Sequence, residues 1–307
     1  MRHRDAVMLC GSCFTEHIGV RMEEAKMDIR MNPQGILFNP MSMAKCLEAC
    51  VDAVEYKPED LFLLNEIWSH WDFHSRYSNT DKTLALNDMN RSISGAHHFL
   101  KKANWLILTF GSSFQYFLKE ENKITGVGNC HKAPGHWFEK RMFTIAEMQQ
   151  QWHLTLKKVK TFNPDLKIIF TISPVRHYRD GLVENNRSKA RLFELVQDLT
   201  EQIEGTQYFP AYEIVNDVLR DHRYFEADMV HPNQQAVDYV WAQFCNTYFN
   251  PEDKALMQQI KEITTALHHK PRFPETESHK RFQANLQKKI DELKNKFTYL
   301  NFDPNPS

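Results

Sequence analysis

The sequence has no surplus of either charge: 38 Lys and Arg stand against 39 Asp and Glu over 307 residues, a formal net charge of −1. A chain that neutralises a phosphate backbone needs a basic surplus, so nucleic acid is excluded as the main ligand. Long apolar runs are missing too. None approaches the roughly 20 residues needed to cross a bilayer, and only Met1-Arg2-His3-Arg4-Asp5 precedes the first apolar run, so we expect neither a membrane partner nor a secretory leader. Cysteine is sparse, with six residues, and most lie in apolar surroundings: Cys10 in a strand-like run, Cys46 and Cys50 on one helix, Cys245 on another. That is too few for a disulfide scaffold at this length and reads as reduced core thiols in a cytoplasmic protein. What the chain does have is core material, since 42% hydrophobic residues suffice for one large or two small domains.

Strand and helix signals alternate. Val7-Met8-Leu9-Cys10 runs into the loop Gly11-Ser12-Cys13-Phe14, after which Phe14, Ile18, Met22 and Ala25 recur at helical spacing and predict a helix from Thr15 to Asp28. Gly11 permits a tight turn there, and Ser12 falls at a strand exit and a helix start, a position suited to a nucleophile or to a helix cap. Further buried-strand runs are Trp105 to Phe110, Lys167 to Ser173 and Gln207 to Pro210, and helical signals cover Ser42 to Ala53 and Leu84 to Lys102. Thr144-Ile145-Ala146-Glu147 has the form of a capping box and opens a helix to about Thr161. Leu192, Val196, Leu199 and Ile203 mark another, starting near Glu184-Asn185-Asn186, and Val237, Trp241, Phe244 and Tyr248 line a third. A hairpin is expected around Glu120 to Lys123. This alternation implies α/β architecture, a parallel sheet covered by helices, with ligands bound beyond the carboxyl ends of the strands. Ser12, Ser113, Arg176 and His177 all follow strand ends, so that edge would gather them.

Three other stretches hold chemistry-bearing side chains. In Asn32-Pro33-Gln34-Gly35 the glycine either makes a turn or brings a backbone N–H close to a ligand. From Trp68 to Tyr77, His70, Asp72 and His74 alternate as on one strand face, compatible with a metal or, with Trp71, with the wall of a sugar-binding cleft; no further ligand is evident, and no metal is expected. In Gly128-Asn129-Cys130-His131 the adjacent Cys and His would point to opposite faces and cannot pair, leaving Asn129 and His131 as cleft residues.

Beyond Asn250-Pro251 the composition turns to Lys, Glu and Gln, with one apolar stripe at Leu256, Ile260, Ile263 and Leu267 and a second at Phe282, Leu286, Ile290, Leu293 and Phe297, separated at Pro271-Arg272-Phe273-Pro274. We read residues 1–250 as one domain and 251–307 as a helical extension that packs on it or on a second subunit.

The loop Asp228-Met229-Val230-His231-Pro232 supplies the decisive pairing. An Asp three residues before a His can curl to accept from imidazole Nδ1–H, leaving Nε2 as a base, and Ser12 would supply the nucleophile. Together Gly11-Ser12-Cys13-Phe14-Thr15-Glu16, Asn32-Pro33-Gln34-Gly35-Ile36, Ser173-Pro174-Val175-Arg176-His177, Glu184-Asn185-Asn186-Arg187-Ser188-Lys189 and Asp228-Met229-Val230-His231-Pro232 resemble the GSCFA-domain proteins, a branch of the SGNH or GDSL-type hydrolases, over roughly Ala6 to Asn250. The name-giving motif ends in Ala where this chain has Thr15.

The resemblance implies a three-layer α/β/α hydrolase without a cofactor, with Ser12 as nucleophile, His231 as general base and Asp228 as its partner. Gly35 N–H and Ser12 N–H would line the oxyanion hole. The third donor is usually an Asn in a Gly-x-Asn loop; Gly111-Ser112-Ser113 offers a Ser, so Ser113 or Asn129 takes that place. The expected chemistry is deacylation of a carbohydrate or similar small ester. His70, Trp71, His74, His131 and His177 would bind substrate, and Arg176 would hold a carboxylate or hydroxyl or else form an ion pair bracing the sheet edge. Acyl transfer to a sugar hydroxyl and a non-catalytic carbohydrate-binding fold are the alternatives.

Overall fold

The computed structural model describes residues 1–120, 123–268 and 272–302. Its elements run β1 (Val7–Gly11), α1 (Cys13–Glu24), β2 (Ile29–Met31), α2 (Pro40–Asp52), β3 (Phe62–Leu64), β4 (Ile67–Ser69), α3 (Lys82–Lys102), β5 (Trp105–Phe110), β6 (Phe114–Glu120), β7 (Lys123–Val127), β8 (Phe138–Met142), α4 (Ile145–Phe162), β9 (Lys167–Ile172), α5 (Leu182–Gln202), β10 (Thr206–Tyr208), the single turn α6 (Ala211–Glu213), α7 (Gln234–Tyr248), α8 (Pro251–His268) and α9 (Glu277–Lys296). Five strands form one sheet in the order β10-β9-β5-β1-β2, every pair parallel. The α/β class and the covered parallel sheet are therefore as expected.

Two cores explain why the central strands read as continuous apolar runs. Met8 and Cys10 of β1, Leu106, Leu108 and Phe110 of β5, and Ile168, Phe170 and Ile172 of β9 face α2, α3, α4 and α5. The alternate residues Val7, Leu9, Trp105, Ile107 and Ile169 face α1 and α7, whose Phe14, Ile18, Met22, Val237, Val240 and Phe244 complete the second core. Strand side chains alternate between faces, so a sheet covered on both sides must be apolar at every position. Each fully buried large side chain contributes about 1.5–3 kcal/mol of transfer free energy.

Local signals set most boundaries. The Thr144 hydroxyl accepts Glu147 N–H while Glu147 accepts from Thr144 N–H, so the capping box forms as expected. α1 ends at Glu24, short of the expected Asp28, because the chain turns into β2. α5 begins at Leu182 behind Gly181, not at Glu184, because Asn185 is spent on a tertiary contact described below.

Two antiparallel excursions interrupt the layers: β3-β4, and β7-β6-β8, where β6 and β7 make the expected hairpin and its turn residues 121–122 lie outside the described residues. Phe138, Glu139, Lys140, Arg141 and Met142 of β8 carry only a weak apolar alternation, and sequence reasoning gave no strand there.

α8 and α9 pair through Leu256, Ile260, Ile263, Leu286, Ile290 and Leu293, most of the two expected stripes, whereas Leu267 and Phe282 are exposed. Pro271 lies outside the described residues. The pair rests on the α/β body: Met257 enters the second core, Tyr299 bonds His3 and Asp253 pairs with Arg2. No described helix is long and apolar enough to cross a membrane. All six cysteines are free, three of them buried.

Candidate active site

Ser12 follows the last residue of β1 and stands at the N-cap of α1. At that position a serine ordinarily accepts a helix N–H. Here it does not: Ser12 makes no side-chain cap, is 2% exposed, and its Oγ has no hydrogen-bond partner among the described residues. Strand packing fixes the backbone before it. A Cβ on Gly11 would lie 2.6 Å from the Thr109 carbonyl oxygen, so only glycine lets β1 run this close to β5. Gly11 N–H donates to Asn32 Oδ1, and Gly11 O accepts from Leu37 N–H.

Asp228 and His231 form the expected pair. Asp228 Oδ1 accepts Val230 N–H at 2.8 Å and His231 N–H at 3.0 Å, while Oδ2 sits 2.6 Å from His231 Nδ1. These contacts, His231 N–H foremost, hold the Asp228 carboxyl down at about 2. A bridge between Phe225 and Pro232 closes the loop, and Glu226 N–H donates to His231 O.

The helix that follows this loop packs on α1: Arg21 of α1 bonds Asp238 of α7, and both helices share the second core. Ser12 Oγ and His231 Nε2 are not hydrogen-bonded in this state.

Sequence reasoning assigned no role to the first turns of α5, which organise the strand ends. Asn185 Oδ1 accepts His177 N–H, and Ser188 Oγ accepts both Ser113 N–H at 2.8 Å and the Ser113 hydroxyl at 3.0 Å. Lys189, 2% exposed, donates through Nζ to Gly111 O at 2.6 Å and Ser173 O at 2.7 Å, tying the exits of β5 and β9 together. Burial pulls its ammonium down to about 7. The signal was present: Asn185 and Lys189 continue the stripe of Leu192, Val196 and Leu199 toward the N-terminus, polar residues on a face that must be buried.

Two expected oxyanion donors are already engaged. Gly35 N–H donates to Asn32 O at 2.7 Å, closing a turn, and the Ser113 N–H and O–H both go to Ser188. Asn129 Oδ1 accepts His131 N–H, and its own N–H goes to Trp71 O.

The expected substrate-binding residues divide. Arg176 and His177 lie beside the Asp228 loop, with Arg176 N–H bonded to Val230 O. The Arg176 guanidinium bonds Asn216 Oδ1 and the Tyr178 hydroxyl and lies 4.1 Å from the Phe225 ring, so these contacts brace it through neutral partners and not through the expected ion pair. His70, Trp71 and His131 instead knit into one another: Trp71 stacks on Phe62 at 3.7 Å, and His131 Nε2 bonds His70 O.

The alternating triplet does not converge on an ion either. His70 Nδ1 accepts Asp72 N–H, Asp72 pairs with Lys45, and His74 Nδ1 accepts Arg76 N–H. His74 alone touches the Gly35 turn, its Cβ lying 2.2 Å from where a Cβ on Gly35 would stand.

Comparison with solved structures finds a carbohydrate esterase family 3 protein from Talaromyces cellulolyticus, 11% identical, covering 84% of this chain and 99% of that one with a TM-score of 0.37. A GDSL-like lipase from Parabacteroides merdae ATCC 43184, described as putative, is 10% identical, covering 83% and 98% with a TM-score of 0.39. No curated protein matches the sequence. Residues 6–244 match the GSCFA family, and residues 260–305 match the C-terminal domain of GSCFA domain proteins. The chain therefore belongs to the GSCFA family.

Proposed function

We propose that this GSCFA protein is a serine ester hydrolase. Ser12 Oγ attacks the ester carbonyl carbon while His231 Nε2 takes its proton; Asp228 fixes the Nδ1–H tautomer and offsets the positive charge that the ring acquires. His231 then returns the proton to the leaving alcohol, and water, deprotonated by the same imidazole, releases the acid from Ser12. The observation that carries this reading is the unspent, buried Ser12 hydroxyl at a strand exit, on the rim where the Asp228–His231 pair is already assembled. Catalytic hydrogen bonds are often long before substrate binds, so the open Ser12–His231 gap is compatible with it.

Small carbohydrate esters are the substrate class we favour, deacylated to water. Of the aromatic segment, His74, half-buried against the Gly35 turn, is the residue we propose meets the alcohol. A fluorophosphonate probe tests the reaction. We expect stoichiometric labelling of the wild type that disappears in Ser12→Ala; a wild type inert to such probes, or a label surviving in Ser12→Ala, overturns the proposal. Product analysis with added sugar acceptors separates hydrolysis from transfer.

A further inference from the structure

The oxyanion of an acyl-transfer intermediate needs N–H or O–H donors aimed at it. The loop after β5 has few left to give. Gly111 N–H and Ser112 N–H both donate to Phe38 O, Ser113 gives its N–H and hydroxyl to Ser188, and Phe114 N–H donates to Ser112 Oγ. Gly35 N–H is closed onto Asn32 O.

One buried side-chain nitrogen among the described residues has no partner, and it is His177 Nε2. Its position is fixed from two sides. Asn185 Oδ1 holds its backbone N–H at 2.9 Å, and its ring meets Phe38 edge-on, with centroids 6.0 Å apart. Phe38 follows Leu37, whose N–H bonds Gly11 O one residue before Ser12. Four buried side-chain groups near the carboxyl ends of β1 and β9 lack partners among the described residues, Ser12 Oγ, Thr15 Oγ1, Thr171 Oγ1 and His177 Nε2; the two threonines line the apolar space beside Phe14 and Ile169, and His177 Nε2 is the one nitrogen of the set.

We infer that His177 donates a hydrogen bond from Nε2–H to the developing oxyanion of the Ser12 adduct, filling the place that an Asn side chain holds in the SGNH pattern. This rests on the serine-hydrolase reading above. No proton is transferred: Nε2–H stays on the ring while the carbonyl π pair moves onto oxygen as the Ser12 Oγ–C bond forms, and returns when the leaving alkoxide departs. The ring must be neutral to avoid the cost of a buried cation, and its surroundings keep it so. Burial, followed by the positive field of Lys189, lowers the imidazole to about 4; Asp180 acts in the opposite sense, and Lys140 and His231 act with Lys189. A neutral imidazole donor, with the Lys189 ammonium nearby while that group keeps its proton, is well matched to an anion that exists only during the reaction.

The test measures kcat and KM on an activated aryl acetate, fluorophosphonate labelling rate and thermal midpoint for His177→Ala, His177→Phe and His177→Gln. We expect about a 100-fold or greater loss of kcat in the Ala and Phe variants with KM within a few-fold, unchanged midpoints, and recovery of most of the loss in Gln, which restores an N–H near the Nε2 position. If the wild type labels at Ser12 while His177→Phe keeps kcat within threefold, or if all three variants lose activity alike, the donor role is overturned and the hydrolase reading survives. A wild type inert at Ser12 overturns both.

Discussion

At the scale of single residues, Asp228 is the most economical part of the site, because its two oxygens do different work. Oδ1 shapes the loop through Val230 and His231 N–H groups, and Oδ2 orients the imidazole. Asp228→Asn keeps the Oδ1 acceptor and replaces Oδ2 by a donor, so the loop should fold while His231 is driven to the tautomer that cannot act as base. We expect kcat to fall by about 10⁴-fold with the midpoint unchanged, measured by steady-state hydrolysis and thermal melting. Because this carboxyl is held at about 2, chiefly by His231 N–H, it stays ionised down to that pH, and loss of activity between pH 6 and 4 must come from another group. Although Asp-x-x-His gained weight only when joined to the Gly11-Ser12 strand exit, this pair was legible because four residues contain both partners. The engagement of Gly35 and Ser113 was not, because it depends on Asn32 and on Ser188 from another helix.

At the scale of elements, the Gly35 turn shows how a loop is held without regular structure. Gly35 has φ +82, and the space where its side chain would lie is taken by His74. Gly35→Ala should lower stability by about 1–3 kcal/mol through the left-handed backbone, with a further contact penalty against His74. Chemical denaturation should show the double variant Gly35→Ala with His74→Gly recovering only the contact part; full recovery would mean that backbone strain is negligible. The sequence left this glycine's role open between turn and ligand approach, and the observed hydrogen bond favours the turn. Strands β1, β5 and β9 were legible as apolar runs because both faces are covered. The aromatic segment misled because a density of Trp and His looks alike whether it faces a ligand or, as with Trp71 on Phe62, faces itself.

For the whole molecule, Lys189 links global stability to the construction of the rim. It binds carbonyls at the ends of two central strands from a fully buried position, and burial brings it down to about 7. The unfolded chain keeps that proton up to the ordinary lysine value of about 10.4, so between these limits the unfolded state holds more protons and stability rises with pH. Below about 7 the cost is at its full value. The unfolding free energy of the wild type minus that of Lys189→Met should therefore increase by up to about 1.4 kcal/mol per pH unit between pH 7 and 10, measured by denaturant titration; a flat difference refutes the assignment.

The bond from Arg176 N–H to Val230 O joins the exit of β9 to the loop that carries His231. The proposed base and the inferred His177 donor thus share an anchor at the exit of β9, while Ser12 follows β1, with β5 between the two strands. If the proposed roles hold, substitutions in the packing of β1, β5 and β9 are expected to disturb the approach of Ser12 to both groups while leaving each side chain intact.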